Sequence, residues 1–328
     1  MSQNSLVVAN GTGAAVRAAL NNALNSLVTV NSGSSAPSTT YAYMLWADTT
    51  NDLLKIRNAA NTAWLTVGKL SLTNLGLAPI LRGYLWGMTL SNNGTDATND
   101  IDVAVGSCAS DDSADANRVL LNPGALTKQL DATWAAGTNA GGRISSESLV
   151  NGTWHVYAFR RSGGADDICF SQSLTPTLPD SGTHKRRIGS ILRESGAIVS
   201  FVQYGDHFQR KSPTLDINVN NPGTSAALRT VLVPTGLTIL SWLRVGSIST
   251  SVAAAIWIQD PALTDSAPGS TAAPLCSFNV TTSAAEYQEM FVFTNTSAQV
   301  RSRFSASDAN ANLYIATLGW VDPRGRID

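Results

Sequence analysis

The chain has 328 residues, enough for two or three domains, and its formal net charge is −1 at pH 7. Charged residues make up 14% of the chain, against about 25% in an average globular protein. Nothing in this near-neutral composition marks a protein that binds nucleic acid or a membrane surface. The sequence contains no apolar run of about 18 residues and no basic, apolar leader. We therefore expect no membrane insertion, no signal peptide and assembly in a cytoplasm.

The first predicted element is a helix over residues 14–28, which Thr12 or Gly13 can cap. Its apolar residues follow a helical period and form one stripe, made of Val16, Leu20, Leu24, Leu27 and Val28. Such a stripe is typical of a helix that packs on its own chain, and equally of one that packs on symmetry-related copies. Residues 31–40 are rich in Ser and Thr and indicate a linker.

Residues 41–68 predict two or three short strands. An aromatic run ends at Asp48, a turn covers residues 49–52, and a second turn covers residues 58–61. Asn and Asp at these turns tolerate left-handed backbone geometry and bond to their own backbone. A module of this size cannot bury a core alone, because an isolated hairpin is marginally stable in water. We therefore expect it to pack on neighbouring parts of the chain or on copies of itself.

From about residue 70 onward the sequence alternates apolar and polar residues between Gly- and Ser-rich turns, which predicts strands. Residues 126–130 are compatible with either a strand or a helical turn. After Pro213, about eight strand-like segments follow at a spacing of roughly 10–15 residues, as in an antiparallel sandwich or jelly roll. The predicted fold is mainly β. It has a short N-terminal helix with a linker (1–40), a small β module (41–70), a central β domain (71–212) and a C-terminal antiparallel β-sandwich (213–328).

Three cysteines, Cys108, Cys169 and Cys276, lie far apart in the sequence. An odd number of widely spaced cysteines argues against a disulfide framework and against a zinc site. We expect buried free thiols.

Motifs that carry chemistry are mostly missing from the sequence. The three histidines, His155, His184 and His207, are not spaced as metal ligands, and no nucleophile-elbow, phosphate-loop or dinucleotide-binding motif occurs. Two groups of aspartates could bind Ca²⁺, but turn-forming, solvated carboxylates are the favoured interpretation: Asp96, Asp100 and Asp102, then Asp111, Asp112 and Asp115. We expect no enzyme activity, no metal site and no cofactor.

A basic cluster and three tryptophans are each compatible with either a binding role or a structural role. Residues 185–187, Lys-Arg-Arg, suit either an anionic sugar or a set of ion pairs, and we favour the ion pairs. Trp242, Trp257 and Trp320 could stack on sugar rings. Their apolar neighbours favour the core or a contact between subunits.

Several segments together carry a resemblance to a known family. Residues 46–68, which follow the short Ala- and Asn-rich helix, resemble the N-terminal part of bacteriophage tail-fibre proteins. Residues 90–102, 126–138, 185–194 and 315–326 are similar to segments of phage and prophage tail-fibre proteins. The resemblance implies a virion component that assembles as a homotrimer and contacts a host surface.

We therefore expect a virion tail-fibre protein that is assembled in the host cytoplasm. Residues 1–68 would attach to other virion proteins of the tail or baseplate, and the C-terminal domain would bind a host polysaccharide or lipopolysaccharide. A head fibre, collar or decoration protein without a receptor role is the competing class. A polysaccharide depolymerase is a third, since carboxylate pairs can cleave glycosidic bonds.

Recognition is expected in the long polar connections of the C-terminal sandwich, because binding residues concentrate in loops on a rigid frame. Four connections qualify, at residues 246–253, 259–272, 281–286 and 305–311. Their Ser, Thr, Asn and Asp side chains can bond to sugar hydroxyls. The candidate binding residues are Ser249, Thr250, Asp260, Asp265, Ser283, Asp308 and Asn310.

Overall fold

A computed structural model describes residues 3–4, 6–72, 75, 83–111, 120–121, 123–248, 254–269, 277–280 and 285–326 of the chain. The protein is mainly β with one N-terminal α-helix among these residues, which confirms the predicted fold class. The chain divides into two compact units, one before residue 82 and one after it. We call them the N-terminal unit and the C-terminal unit. No helix in the described part of the chain is long and apolar enough to cross a membrane.

The N-terminal unit begins with helix α1, Gly13–Val28. The side-chain hydroxyl of Thr12 accepts a hydrogen bond from the backbone N–H of Ala15, so Thr12 is the N-cap that the sequence predicts. The predicted apolar stripe lies on the solvent side: Leu24 is 58% exposed and Val28 is 82% exposed. Among the described residues, nothing of this chain buries the stripe.

Three antiparallel strands follow α1 and form one sheet in the order β1 (Leu45–Asp48), β2 (Leu53–Arg57) and β3 (Trp64–Lys69). The two predicted turns connect them, and Asp52 and Asn61 adopt the left-handed backbone expected there, with φ of 57° and 53°. Trp46 is buried, with its ring centroid 5.3 Å from that of Trp64. The sequence prediction of two or three strands is thereby confirmed.

The first part of the C-terminal unit contains two sheets. In the described residues, one has eight strands in the order β14-β13-β11-β12-β10-β9-β6-β5, and the other has the order β4-β7-β8. Residues 126–130 lie in strand β9, which resolves the ambiguity left by the sequence. The bounds are β4 Leu85–Gly87, β5 Leu90–Asn92, β6 Asp100–Val103, β7 Gly106–Ala109, β8 Leu120–Leu121, β9 Leu126–Thr133, β10 Ala140–Arg143, β11 Gly152–Arg160, β12 Asp166–Ser171, β13 His184–Glu194 and β14 Ala197–Ile198.

The remainder of the C-terminal unit contains nine described strands in two antiparallel sheets. One sheet has the order β15-β16-β23-β18-β21, and the other has the order β17-β22-β19-β20. If the eight strands β16 to β23 are renumbered 1 to 8, the first sheet contains the order 1-8-3-6 and the second has the order 2-7-4-5. This is the strand order of a jelly roll. The bounds are β15 Phe201–Tyr204, β16 His207–Asn220, β17 Ala227–Thr230, β18 Leu240–Ile248, β19 Ala254–Gln259, β20 Ser277–Val280, β21 Glu286–Phe293, β22 Gln299–Phe304 and β23 Asn312–Val321.

The larger of the two apolar core clusters found in the described C-terminal unit joins both of its parts, and the smaller cluster contains Ile144, Tyr157, Phe159 and Cys169. The larger cluster includes Trp154 and Ile168 of the eight-stranded sheet together with Ile256 and Trp320 of the jelly roll, all of them buried. Strand β16 runs through residues 212 and 213, where the sequence suggested a domain boundary. Side chains from both sides of that position pack in the same core, so the jelly roll is supported by the sheet that precedes it.

The two cysteines in the described residues, Cys108 and Cys169, are buried free thiols, as predicted. Burial raises the pKa of Cys108 to about 12, and it also raises the pKa of Cys169. Neither thiol is a reactive thiolate near neutral pH. Cys276 lies outside the described residues.

Candidate functional site

Four connections of the jelly roll leave its strands at the same end. The strand register places Asn312 of β23 opposite both Asn220 of β16 and Ile248 of β18, and it places Ser247 opposite Glu286 of β21. Segments 221–226, 249–253, 281–285 and 305–311 start or finish at these strand termini. We call this the loop end. Three of the four connections expected from the sequence, 246–253, 281–286 and 305–311, are therefore flanked by strand ends on this side, and of these three only 305–311 is described throughout.

Two described segments of the loop end, 221–226 and 305–311, bond directly to each other. The backbone N–H of Asn221 donates to the carbonyl of Ala311 (2.7 Å), and the hydroxyl of Ser307 donates to Oδ1 of Asn221 (3.1 Å). Beside them, Nδ2 of Asn220 donates to Oδ1 of Asn312 (3.4 Å). Amide and hydroxyl groups thus line the loop end next to one another, which is a suitable arrangement for hydrogen bonds to sugar hydroxyls.

Asp308 and Asn310, two of the predicted binding residues, lie in this end. Asp308 is 7% exposed, and its Oδ1 accepts a hydrogen bond from the backbone N–H of Asn310 (2.9 Å). The carbonyl of Asp308 also accepts from the N–H of Ala311 (3.0 Å), so Asp308 closes the turn before β23. Asn310 is exposed. Asp308 therefore shapes the loop, while Asn310 is presented to solvent.

Asp260 and Asp265 lie at the opposite end of the jelly roll. They follow β19, whose last residue, Gln259, pairs with Arg301 of β22. Oδ1 of Asp260 accepts from the N–H of Ala262 (2.8 Å), which closes a local turn. Asp265 forms an ion pair with Arg303, also of β22. The structure separates these two residues from the loop end, because consecutive connections of an antiparallel jelly roll alternate between its ends.

The remaining predicted binding residues, Ser249, Thr250 and Ser283, lie outside the described residues. Sequence reasoning missed segment 221–226, which the fold adds to the loop end. Its sequence, Asn-Pro-Gly-Thr-Ser-Ala, carries a clear turn signal, and both Thr224 and Ser225 are exposed.

A cleft of about 400 Å³ opens elsewhere in the C-terminal unit, near the ends of β11 and β13. Leu192, Val231 and Val233 supply apolar lining, and Asn151 and Arg193 supply polar groups. Nη1 of Arg193 donates to Oδ1 of Asn151 (3.1 Å), while its Nε is buried without a hydrogen-bond partner in the described part of the chain. The volume is within the range of small-molecule sites, so the cleft is a second candidate binding site.

The basic cluster at residues 185–187 is paired. Nζ of Lys185 lies 2.9 Å from a carboxylate oxygen of Asp111, and Arg187 forms a buried ion pair of 2.7 Å with Asp322. Arg186 is buried and donates to a backbone carbonyl. These contacts confirm the ion-pair interpretation over an anion-binding one.

The first predicted aspartate group forms turns and cross-strand bonds. Oδ1 of Asp96 accepts from the backbone N–H groups of Thr98 (3.0 Å) and Asn99 (3.2 Å), and Asp102 accepts from two neighbouring side chains. Burial, assisted by the negative charge of Asp96, raises the pKa of Asp100. The turn interpretation is confirmed for Asp96. Asp112 and Asp115 lie outside the described residues.

Two of the three tryptophans singled out in the sequence belong to the core. Trp320 is fully buried and stacks on Phe208 at a centroid distance of 5.6 Å, and Trp257 is also buried. Trp242 lies partly exposed on the outer face of the five-stranded sheet, beside Phe291. The core prediction is therefore confirmed for Trp257 and Trp320.

The sequence matches no protein-family model, and it matches no curated protein. Among solved structures, one match is a chain described under the words "Bacillus endospore appendages form a novel family of disulfide-linked pili". The identity is 11%, the match covers 38% of this chain and 97% of that chain, and the TM-score is 0.22. A likeness at this TM-score carries no argument about the function of the present protein.

Proposed function

We propose that this chain is a subunit of a bacteriophage tail fibre, a homotrimer that binds a host cell-surface glycan through its C-terminal jelly roll. The observation that supports the proposal best is the loop end. Two described polar segments, 221–226 and 305–311, bond to each other there, on the rigid frame of two sheets that share a core with a third. Double-sheet jelly rolls occur in viral capsid and lectin domains, so this architecture is compatible with a surface-binding virion protein.

The chemistry of the loop end favours an uncharged, hydroxyl-rich ligand. Its described polar groups are amides and hydroxyls, and the carboxylate of Asp308 is already engaged in a turn. Asn and Ser offer donors and acceptors together, as the hydroxyls of a sugar require. We therefore place the glycan contact at Thr224, Ser225 and Asn310, which are three of the exposed polar residues of the described segments.

Binding of the purified protein to host lipopolysaccharide or capsular polysaccharide tests this placement. We expect the triple variant Thr224→Ala, Ser225→Ala and Asn310→Ala to bind at least about tenfold more weakly, since several hydrogen bonds of about 1 kcal/mol each are lost. A matched change at the opposite end, Thr264→Ala with Ser266→Ala, removes exposed hydroxyls there and should leave binding unchanged.

A second arm of the same assay examines the cleft. Thr230→Trp places a large ring at an exposed residue of the cleft lining and changes no residue of the loop end. If this change abolishes binding while the loop-end variant binds normally, the glycan site is the cleft and our placement is wrong. If the wild-type protein binds no host glycan, the structural virion class replaces the receptor-binding one.

Attachment to the virion is assigned to residues 1–68, which belong to the separate N-terminal unit. A protein that begins at residue 69 should fold its C-terminal unit, because that unit has its own core. We expect it to be absent from assembled particles, as measured by immunoblotting of purified virions. Normal incorporation of the shortened protein would contradict the assignment.

A further inference from the structure

The five-stranded sheet of the jelly roll is apolar on both faces. On β21, Met290 and Val292 point to the core, whereas Tyr287, Phe291 and Phe293 point outward. These three outward rings are 54%, 48% and 48% exposed. An antiparallel sheet with one solvated face normally carries polar residues there. The outer face of this sheet therefore has the composition of a surface that another molecule covers.

The apolar surface extends over the neighbouring strands. The strand register places Leu240 beside Phe293 and Trp242 beside Phe291, and Leu215 of β16 is 55% exposed on the same side. We call this surface the aromatic face. It consists of Leu215, Leu240, Trp242, Arg244, Tyr287, Glu289, Phe291 and Phe293.

The rings of the aromatic face are arranged unlike a sugar-stacking platform. Trp242 is stacked on Phe291 with an interplanar angle of 14°. The ring centroid of His207 lies 5.1 Å from that of Trp242. Tyr287 lies against Gly246, where an added Cβ would be 2.3 Å from its ring, and the guanidinium of Arg244 lies 5.0 Å from its centroid. Because Trp242 and Tyr287 already pack on neighbouring groups, the face offers ring edges to apolar side chains more than open ring planes to sugars.

The charges on the aromatic face are suited to contact between identical surfaces. Arg244 and Glu289 are opposite each other in the register of β18 and β21, so the two charges balance. Glu289 also accepts a hydrogen bond from Nε1 of Trp242 (3.2 Å). Three copies of a neutral face can converge on a threefold axis without like-charge repulsion, whereas a face of one sign would favour an oppositely charged foreign partner.

The size of the face also fits a protein partner. Strand β18 has nine residues. At about 3.4 Å per residue and about 4.8 Å between strands, four strands of this length cover roughly 500 Å² before side-chain relief is added. A standard interface buries about 800 Å² per partner, so the face approaches that size.

Helix α1 supplies an independent indication that the covering molecule is another copy. Its stripe of Leu20, Leu24 and Leu27 is also exposed, and a helix of 16 residues is marginal in water unless its apolar side is packed. Both uncovered surfaces belong to one chain. Association with copies of the same chain can bury both at once, while a foreign partner would have to match each of them separately.

We propose that copies of this chain meet through the aromatic face of the jelly roll. The proposal deepens the homotrimer of the proposed function and rests on it for the number of subunits. It names the surface that the trimer buries and leaves the loop end open for ligand.

The test compares two variants of the full-length protein by light scattering coupled to size exclusion over a dilution series. The wild-type protein should have three times the 34.5 kDa of the chain at micromolar concentration. Phe291→Glu with Phe293→Glu places two carboxylates on the face and should raise the dissociation concentration of the trimer at least tenfold. Leu228→Glu is the matched control, because Leu228 is a half-exposed leucine on β17 of the other sheet, and it should behave like wild type.

A monomeric wild-type protein, or an unchanged dilution curve for the double variant, overturns the proposal. If circular dichroism shows that the double variant is unfolded, hydroxyl-radical footprinting of the wild-type protein decides. Phe291 and Phe293 should then be oxidised several-fold less than Leu228, and equal oxidation overturns the proposal. Glycan binding is measured in a separate assay. If the protein binds no glycan, the proposed receptor role is wrong, but the inference about the aromatic face is unaffected.

Discussion

The N-terminal and C-terminal units are stabilised in different ways. The described part of the N-terminal unit buries few side chains, with Met44 and Trp46 the large apolar ones, and it relies on polar contacts around Asp48. The C-terminal unit has one extended core that includes Trp154, Phe208 and Trp320, together with buried ion pairs.

This difference indicates which unit is self-sufficient. Burial of apolar side chains supplies most of the stability of a domain, so a unit with a large core folds on its own contacts. A unit with an exposed helical stripe and a three-stranded sheet has little to bury and depends on what it packs against. We therefore expect the stability of the N-terminal unit to depend on assembly and that of the C-terminal unit to be intrinsic.

The largest effect is expected from a core deletion in the C-terminal unit. Trp320→Ala removes a fully buried ring that stacks on Phe208 and should lower the free energy of unfolding of that unit by about 3–5 kcal/mol. Trp46→Ala is the matched change in the N-terminal unit and should leave that transition unaltered. Urea unfolding followed by circular dichroism measures both. If Trp46→Ala shifted the unfolding transition of the C-terminal unit, the two units would not be independently stable.

A similar loss is expected when the buried ion pair of the C-terminal unit is broken. Arg187→Leu leaves the fully buried carboxylate of Asp322 without its cation, which should cost about 3–5 kcal/mol. Arg161→Leu breaks a pair with Asp180 in which both side chains are 31% exposed, and it should cost less than about 1 kcal/mol. Equal losses in urea unfolding would mean that burial does not set the strength of these pairs.

In the N-terminal unit, the carboxylate of Asp48 should dominate the pH dependence of the free energy of unfolding. Burial acts to raise the pKa of Asp48, but hydrogen bonds from Lys55 and Asn51 prevail and lower it below 3.8. A lowered pKa in the folded state adds stability that is present above the unfolded pKa and is lost as pH falls through the folded pKa. Asp48→Asn should therefore cost about 1–3 kcal/mol at pH 7 and much less in strong acid.

Thermal unfolding of the N-terminal unit between pH 2 and pH 7 measures this effect. Lys55→Met is the companion variant, since it removes the 2.7 Å ion pair but keeps the bonds of Asp48 to Asn51. A pH profile that is identical in the wild type and in Asp48→Asn would exclude this carboxylate as the source of the acid sensitivity.

The smallest effect is expected at Asp216 in the C-terminal unit, whose contribution to the pH dependence of stability is opposite in sign to that of Asp48. Burial raises its pKa, despite hydrogen bonds from Thr317 and from the backbone N–H of Leu232. A raised carboxyl pKa means that folding favours the protonated form, so its contribution to stability falls as pH rises from the unfolded pKa through the folded one. Asp216→Asn should flatten the pH dependence just above pH 4, as measured by urea unfolding at several pH values. A steeper dependence in the variant would show the sign to be wrong.

The sequence predicted local elements well where they depend on short-range chemistry. Thr12 caps α1, and Asp52 and Asn61 adopt the left-handed turns, because capping and turn geometry are decided within a few residues. The mainly β character also followed from the sequence, since period-two alternation depends on which face of a strand is buried. The ambiguity at 126–130 remained because a short polar run fits two periods.

Which residues share a surface was decided by the tertiary structure. The strand order of the jelly roll sends Asp260 and Asp265 to one end and Asp308 and Asn310 to the other, although all four lie in similar polar connections. Likewise, residues 290–293, Met-Phe-Val-Phe, are apolar at every position, so the sequence does not reveal which of these side chains face the core. Only the pairing of distant strands determines that Met290 and Val292 are buried while Phe291 and Phe293 remain outside. Local chemistry therefore determined the elements, and long-range strand pairing determined the surfaces, because contacts between residues far apart in the chain have no local pattern.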